Sequence, residues 1–393
     1  MPIVLYILAL AVFAQGTSEF VLAGLLPGIA DDLGISLAQA GLLTSAFAVG
    51  MALGAPVMAA VGRGLSPRWT MSGFLALFII AHVIGATTES FGVLFATRIV
   101  AALANAGFLA VALSTVTHLV PVHARARALA VILGGTTLAL IAGVPVGAFV
   151  GNALGWRATL WAIALVSVPA LIAVLLATPT RAAQAEHAVA RQSLAGELRT
   201  LLLRPVQLNL VMGGLVNAAT FCSFTYLAVI ASGRAGVGEA SVPLLLGVFG
   251  LGAFLGVTAA GRFADQNWRQ LILVSGPLLV LSWALLAAMV ENQPVLWVLT
   301  LLLGALSFAL GSTLIGRIMA TAHKAPSMSG SFATVALNLG AVIGPIVGGV
   351  AIELVGARGP LTVSALLVLV AIGLGSVTGR ARKDRARMTT PVA

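Results

Sequence analysis

"GVPVGAFVGNALGWR" (Gly143–Arg157) and "GPIVGGVAIELVGAR" (Gly344–Arg358) are two versions of one pattern. Gly143, Gly147, Gly155 and Arg157 fall on Gly344, Gly348, Gly356 and Arg358 at a constant offset of about half the chain. The run "VMAAVGR" beginning at Val57 falls over "VTAAGRF" beginning at Val257 at nearly the same offset. An offset of half the chain implies two equivalent halves. Proline and glycine inside apolar runs let helices approach closely and bend. The helices carrying Gly143, Pro145 and Gly147, and Gly344, Pro345, Gly348 and Gly349, are therefore expected to form a tight seam between the halves.

The rest of the chain supports two membrane-embedded halves. Its 393 residues are 60% hydrophobic and 8% charged, with a mean hydropathy of +1.10. A soluble domain carries about 25% charged residues. A spanning helix needs about 20 apolar residues, so about twelve use most of the length and leave only short loops. The expected fold is all-α and integral to the membrane, with 12 transmembrane helices in two pseudo-symmetric six-helix bundles. Residues 1–178 form the first bundle, 179–206 a central loop, 207–379 the second bundle, and 380–393 a basic tail.

In a soluble protein a formal charge of +10 suggests nucleic acid. Here its placement is an orientation signal. Most basic residues, including Arg68, Arg127, Arg199, Arg204, Arg262, Arg269, Arg317, Lys324 and the tail from Arg380 to Arg387, fall on the side of the termini. On the other side lie Arg157, Arg234 and Arg358 with Asp31, Asp32, Glu89, Glu239, Glu291 and Glu353. The asymmetry places both termini in the cytoplasm. The first apolar run is too long for a secretory core and carries a glutamate, so it reads as a retained helix. The lone cysteine, Cys222, allows no intrachain disulfide and no cysteine metal cluster; no metal or cofactor is expected.

Glu19 is the one acidic residue placed deep inside an apolar stretch, Ile3 to Pro27. Such a group costs several kcal/mol unless it pairs or takes a proton, and it reads as functional by default. Arg98 on the fourth helix lies at a similar depth, so the two charges are expected to come within reach. Gln15 shares a face with Glu19, and Asn105 shares one with Arg98, which suggests a water-accessible cavity. Proton binding at Glu19 would then be coupled to opening of that cavity. The bland alternative is a static ion pair holding the two helices together. His82 is either a second titrating group or a histidine hydrogen-bonded in the core. Candidate substrate faces are Asn217, Phe221 and Phe224 on the seventh helix, and Trp297, Leu301, Gly304 and Phe308 on the tenth. Mixed aromatic and amide lining suits an uncharged, moderately apolar solute. No phosphate-binding loop, HExxH or nucleophile elbow is present, so an ATP-driven pump and a hydrolytic enzyme are poor readings.

These residues resemble the major facilitator superfamily along the whole chain. Its loop motif of Gly, Asp and Arg lacks the aspartate in the first copy, "GRGLSPRW" (Gly62–Trp69). The second copy, "GRFADQNWR" (Gly261–Arg269), keeps Asp265 and Arg269. Arg98 with Asn105 and Gly107 looks like the helix-4 arginine motif. Gly143, Pro145 and Gly147, and more fully Gly344, Pro345, Gly348 and Gly349, look like the helix-5 motif of proton-coupled exporters. "LALAVFAQGTSEFVLAGLLPGIADDLGIS" and "GLLTSAFAVGMALGAP" are most similar to the arabinose and chloramphenicol efflux branch, in particular to actinomycete chloramphenicol-resistance exporters. The resemblance implies a monomer in a bacterial cytoplasmic membrane that exchanges protons for a small drug through a cavity lined by helices 1, 4, 7 and 10. Export of sugars or nucleosides is the alternative within the branch, and a membrane receptor is the alternative outside it.

Overall fold

The computed structural model describes residues 3–61, 66–121, 125–178, 194–325 and 328–388, without some side chains, Asp265 among them. Among the described residues all regular structure is helical, and twelve helical segments are long and apolar enough to cross a membrane. The first six are Ile3–Phe20, Leu37–Val57, Pro67–Thr87, Phe91–Leu113, Arg127–Leu154 and Trp156–Ala177. The second six are Arg204–Phe224, Glu239–Ala264, Gln266–Ala288, Gln293–Thr321, Ser329–Val355 and Arg358–Gly375. Exposed aliphatic side chains such as Leu53, Ile80, Leu165, Leu281 and Leu354 cover the outside, as a lipid-facing surface requires. The eighth and ninth spans run on from one another through a kink at Asn267, where φ is −120°. Within the connection between the halves lie a short helix, Leu194–Leu198, and a 3-10 turn, Arg199–Leu202.

The repeat seen in the sequence has a structural counterpart at the ends of the spans remote from the termini, here called the far end. Arg157 pairs with Asp32 at the end of the helix Leu22–Leu33 and donates to the carbonyl of Thr88, which closes the third span. Its equivalent, Arg358, reaches Glu291, which follows the ninth span and also holds Arg234 at 2.8 Å. The far-side arginines are thus each matched to an acid. At the opposite, basic end the guanidinium of Arg68 lies over Trp69, and those of Arg269 and Arg317 over Trp268.

The fifth and eleventh spans do lie along the boundary, the fifth against the eighth and the eleventh against the second, but most of their glycines face their own half. Gly143 and Gly147 face Thr17 and Val21 of the first helix, and Gly344 and Gly348 face Ala218 and Cys222 of the seventh. These rows pack helices inside each half, because a row of glycines opens only one face of a helix. Of that set, Pro145 against Gly247 and Gly349 against Ala38 make the contact across halves. The fifth span also contains a π-helical turn, Ala139–Gly143, closed by the Val144 N–H on the Ala139 carbonyl. Pro145 has no N–H to continue the regular ladder, and the wider turn absorbs the defect.

Where the halves meet is asymmetric. One hydrophobic core crosses the boundary, and its first-half members are Phe20, Ala23, Leu26, Ala30, Ala40, Ala48, Leu140, Val144 and Ala148. They come from the far and middle portions of the first, second and fifth spans and the helix beyond the first. The basic-end portions pack separately: Leu5, Leu8, Met71, Phe108 and Ile132 belong to a core of first-half residues. Val206, Ile318, Ala322 and Phe332 belong to one of second-half residues. Among the described residues, the halves are sealed at the far end and packed independently at the basic end.

Candidate functional site between the first and seventh spans

The first and seventh spans occupy equivalent places in the two halves; the first only loosens at Val21, whose φ of −64° and ψ of −24° stay helical, whereas the seventh turns at Thr225 and Tyr226, where Tyr226 reaches φ −104° and ψ 9°. The regular helix runs to Phe20 and from Leu22 in the first, and to Phe224 and from Leu227 in the seventh. No proline or glycine marks either place, so the apolar runs gave no warning. Glu19 and Phe20 adjoin the loosened turn, and Phe221 and Phe224 the turn in the seventh span.

Glu19 is half-buried. Among the described residues it has neither a hydrogen bond nor an ion pair. The expected Glu19–Arg98 contact is therefore not made. Arg98, almost wholly buried, donates from Nη1 to Ser18 Oγ at 2.8 Å and from Nη2 to the Ser18 carbonyl at 2.6 Å. Its guanidinium lies 4.6 Å from the centre of the Phe47 ring. The displacement is one residue along the helix, a rotation of about 100°. Ser18 Oγ is 2.7 Å from His82 Nε2, and His82 Nδ1 is 2.8 Å from the Phe78 carbonyl. His82 is thus a hydrogen-bonded core histidine that touches the arginine's partner. Ser18 had only its polarity to distinguish it in the sequence.

Two polar groups here are unsatisfied. Gln15, with 0% exposure, has no partner for either amide atom, and Arg98 Nε has none. Leaving a buried polar atom unpaired costs about 1–3 kcal/mol, so a stretch of membrane helix that keeps several has a use for them. A space of about 10 Å³ lined by His82, Thr97, Arg98 and Leu160 is roughly the size of one water. Asn105 is buried on the same face of the fourth span as Arg98.

Aromatic rings connect this region to the second half. Phe20 stacks on Phe221 across the boundary at 6.1 Å between ring centres. Phe221 meets Phe224 edge-on at 6.4 Å, Phe224 stacks on Phe249 at 4.6 Å, and Phe249 meets Phe308 edge-on at 6.2 Å. Phe221, Phe224 and Phe308 are thus in one cluster, while Phe20 and Phe249 were not anticipated. Trp297 packs against the core that crosses the boundary. Asn217 is half-buried and donates its amide to the Leu337 carbonyl at 2.6 Å. Gly304 is pressed against the backbone of Phe249, and the Leu301 carbonyl against Gly252, so that part of the proposed face packs on the eighth span. The side chain of Asp265 lies outside the described residues; Arg269 stacks on Trp268 at the basic end, remote from this cluster.

A family model described as Major Facilitator Superfamily matches residues 8–337. The chain is 51% identical over 373 residues, 95% of each protein, to a protein of Streptomyces lividans named "Chloramphenicol resistance protein". It is 30% identical over 349 residues, 88% of each, to "Inner membrane transport protein YdhP" of Escherichia coli. Among solved structures it is similar to a bacterial homolog of the human lysosomal transporter Spinster in an inward-facing and occupied conformation. That match has a TM-score of 0.77 at 17% identity and covers 96% of both chains. The nucleoside transporter NupG matches with a TM-score of 0.73 at 16% identity, over 95% of this chain and 98% of the other. At these identities the structural matches show the fold alone.

Proposed function

The chain belongs to the Major Facilitator Superfamily, and on that premise we propose that it exports chloramphenicol or a related small apolar drug in exchange for protons, by alternating access. Residues 1–178 and 207–379 are the two bodies that rock against each other. It acts as a monomer in the bacterial cytoplasmic membrane with both termini inside, the orientation the basic residues favour. In that orientation the sealed far end is the outer gate, and the described state faces the cytoplasm. The 51% identity to a chloramphenicol resistance protein supports the substrate. The chain of phenylalanines, which suits a flat aromatic solute better than a polyol, favours it over sugars.

One observation carries the coupling. Glu19 is an acid in the membrane interior, half-buried and without a partner among the described residues, beside the loosened turn at Val21 and beneath the seal between the halves. It is free to change protonation when the seal opens. One proton moving through 100 mV supplies about 2.3 kcal/mol, which sustains a roughly 40- to 50-fold gradient of a neutral solute at one-to-one exchange. In everted membrane vesicles, Glu19→Gln is expected to abolish drug transport driven by a pH gradient while the protein still inserts. Unchanged proton-driven efflux in that variant rejects Glu19 as the coupling site. Efflux of arabinose or a nucleoside in place of the drug selects the other substrate class.

A further inference from the structure

We infer that Ser18 and His82 are positioning residues that hold the Arg98 guanidinium away from the Glu19 carboxylate, and thereby set how readily Glu19 takes up its proton. The inference rests on the coupling role proposed for Glu19. One carbonyl fixes the direction of the whole hydrogen-bond chain. The Phe78 carbonyl can only accept, so His82 Nδ1 carries the hydrogen that reaches it at 2.8 Å. A second positive charge beside Arg98 in this buried place is unfavourable, so the ring is neutral and Nε2 is an acceptor. Ser18 O–H therefore donates to His82 Nε2 at 2.7 Å, and its lone pair is left to accept from Arg98 Nη1 at 2.8 Å. The Ser18 carbonyl takes Nη2, and the Phe47 and Phe78 rings close the other sides of the guanidinium and the imidazole.

The outcome is an arginine whose two Nη groups are held by neutral partners one residue away from an unpartnered acid. Arg98 grips the residue next to Glu19, so a small swing of the guanidinium changes the field at the carboxylate. The titratable or charged groups facing Arg98 are Glu19 from the first helix and His82 from the third; the second and sixth spans present Phe47 and Leu160. With the Ser18 hydroxyl gone, one of the two contacts that turn the guanidinium from Glu19 is lost. With His82 gone, the Ser18 hydroxyl is free to rotate and no longer presents its lone pair to Nη1. In either case Arg98 is released to pair with the carboxylate, and the pair favours the ionised acid.

The test is an infrared titration of the carboxyl stretch in the purified full-length protein, with the band assigned by its loss in Glu19→Gln. Ser18→Ala and His82→Leu are expected to move the titration toward acid by about one pH unit. The pH profile of efflux in vesicles is expected to follow. His82→Gln, whose amide oxygen can take the Ser18 hydroxyl, is expected to move the titration back toward the parent protein. A titration unchanged in Ser18→Ala, or displaced toward alkali, overturns the inference whether or not His82→Leu folds. If Glu19→Gln leaves proton-driven efflux intact, the coupling role fails instead, and the infrared result on the Ser18 variant tells the two failures apart.

Discussion

The phenolic oxygen of Tyr226 occupies the place where a side chain at Gly41 would begin. Tyr226 stands at the break in the seventh span with 0% exposure and donates to the Pro345 carbonyl at 2.8 Å. Gly349 crowds the same oxygen, and beyond it stands Ala38 of the first half. A second-half tyrosine thus plugs a notch in the first half. Nearby, Ser45 Oγ donates to the Val342 carbonyl at 2.8 Å and carries the same junction deeper.

Gly41→Ala should therefore oppose closure of the far end. Overpacking a tight contact costs about 1–3 kcal/mol, a shift of about 5- to 150-fold in the balance between closed and open forms. In a Cys222→Ser background, a cysteine placed at Ser45 is expected to become reactive from outside the cell toward an impermeant thiol reagent only when Gly41→Ala is also present. Equal protection with and without Gly41→Ala would falsify the plug.

Gln15→Leu is expected to separate stability from transport. Removing two unsatisfied amide atoms from a fully buried position relieves about 1–3 kcal/mol. The melting temperature in detergent should rise while proton-driven efflux falls. A variant that is no more stable than the parent indicates that the amide is satisfied in the membrane, for example by water.

Phe20→Ala removes the ring that joins the halves at Phe221. Aromatic pairs contribute about 0.5–1.5 kcal/mol beyond their area, so apparent affinity for the drug should weaken by about 2- to 12-fold in equilibrium binding. Phe20→Tyr should keep most of it. An alanine variant with parental affinity assigns Phe20 to the seal alone.

The Asp32 and Arg157 pair gives a prediction about acid. The Arg157 hydrogen bond holds the Asp32 carboxyl below its ordinary value of 3.8. A lowered acid contributes stability that is fully present above the unfolded value and is lost as pH falls through the folded one. Arg157 and Asp32 are 31% and 45% exposed, so the contribution is at most about 1 kcal/mol. Melting curves of the parent and of Asp32→Asn should differ by a constant amount from neutral pH down to about 4. They should converge below that.

Much of the architecture was readable from the chain. Twelve spans in two sets follow from apolar length and from the offset between Gly143–Arg157 and Gly344–Arg358. Arg157 and Arg358 perform matching duties at the far end. The polar cluster was half legible: Glu19 and Arg98 stand out because charge is rare in an apolar run, whereas Ser18, Phe20 and Tyr226 carry no such mark. The loosened turn at Val21 and the turn at Thr225 and Tyr226 were invisible because they contain neither proline nor glycine.

The sequence by itself determined that this protein lives in a membrane, how many times it crosses, and which acid stands inside, because each follows from the cost of placing a given side chain in hydrocarbon. Tertiary structure alone decided which neighbour Arg98 would hold, which faces the glycine rows would serve, and which end of the molecule would be shut. Those outcomes depend on helix rotation, where one residue is about 100°. A one-dimensional pattern of polarity records depth well and leaves that angle to the packing of neighbouring helices.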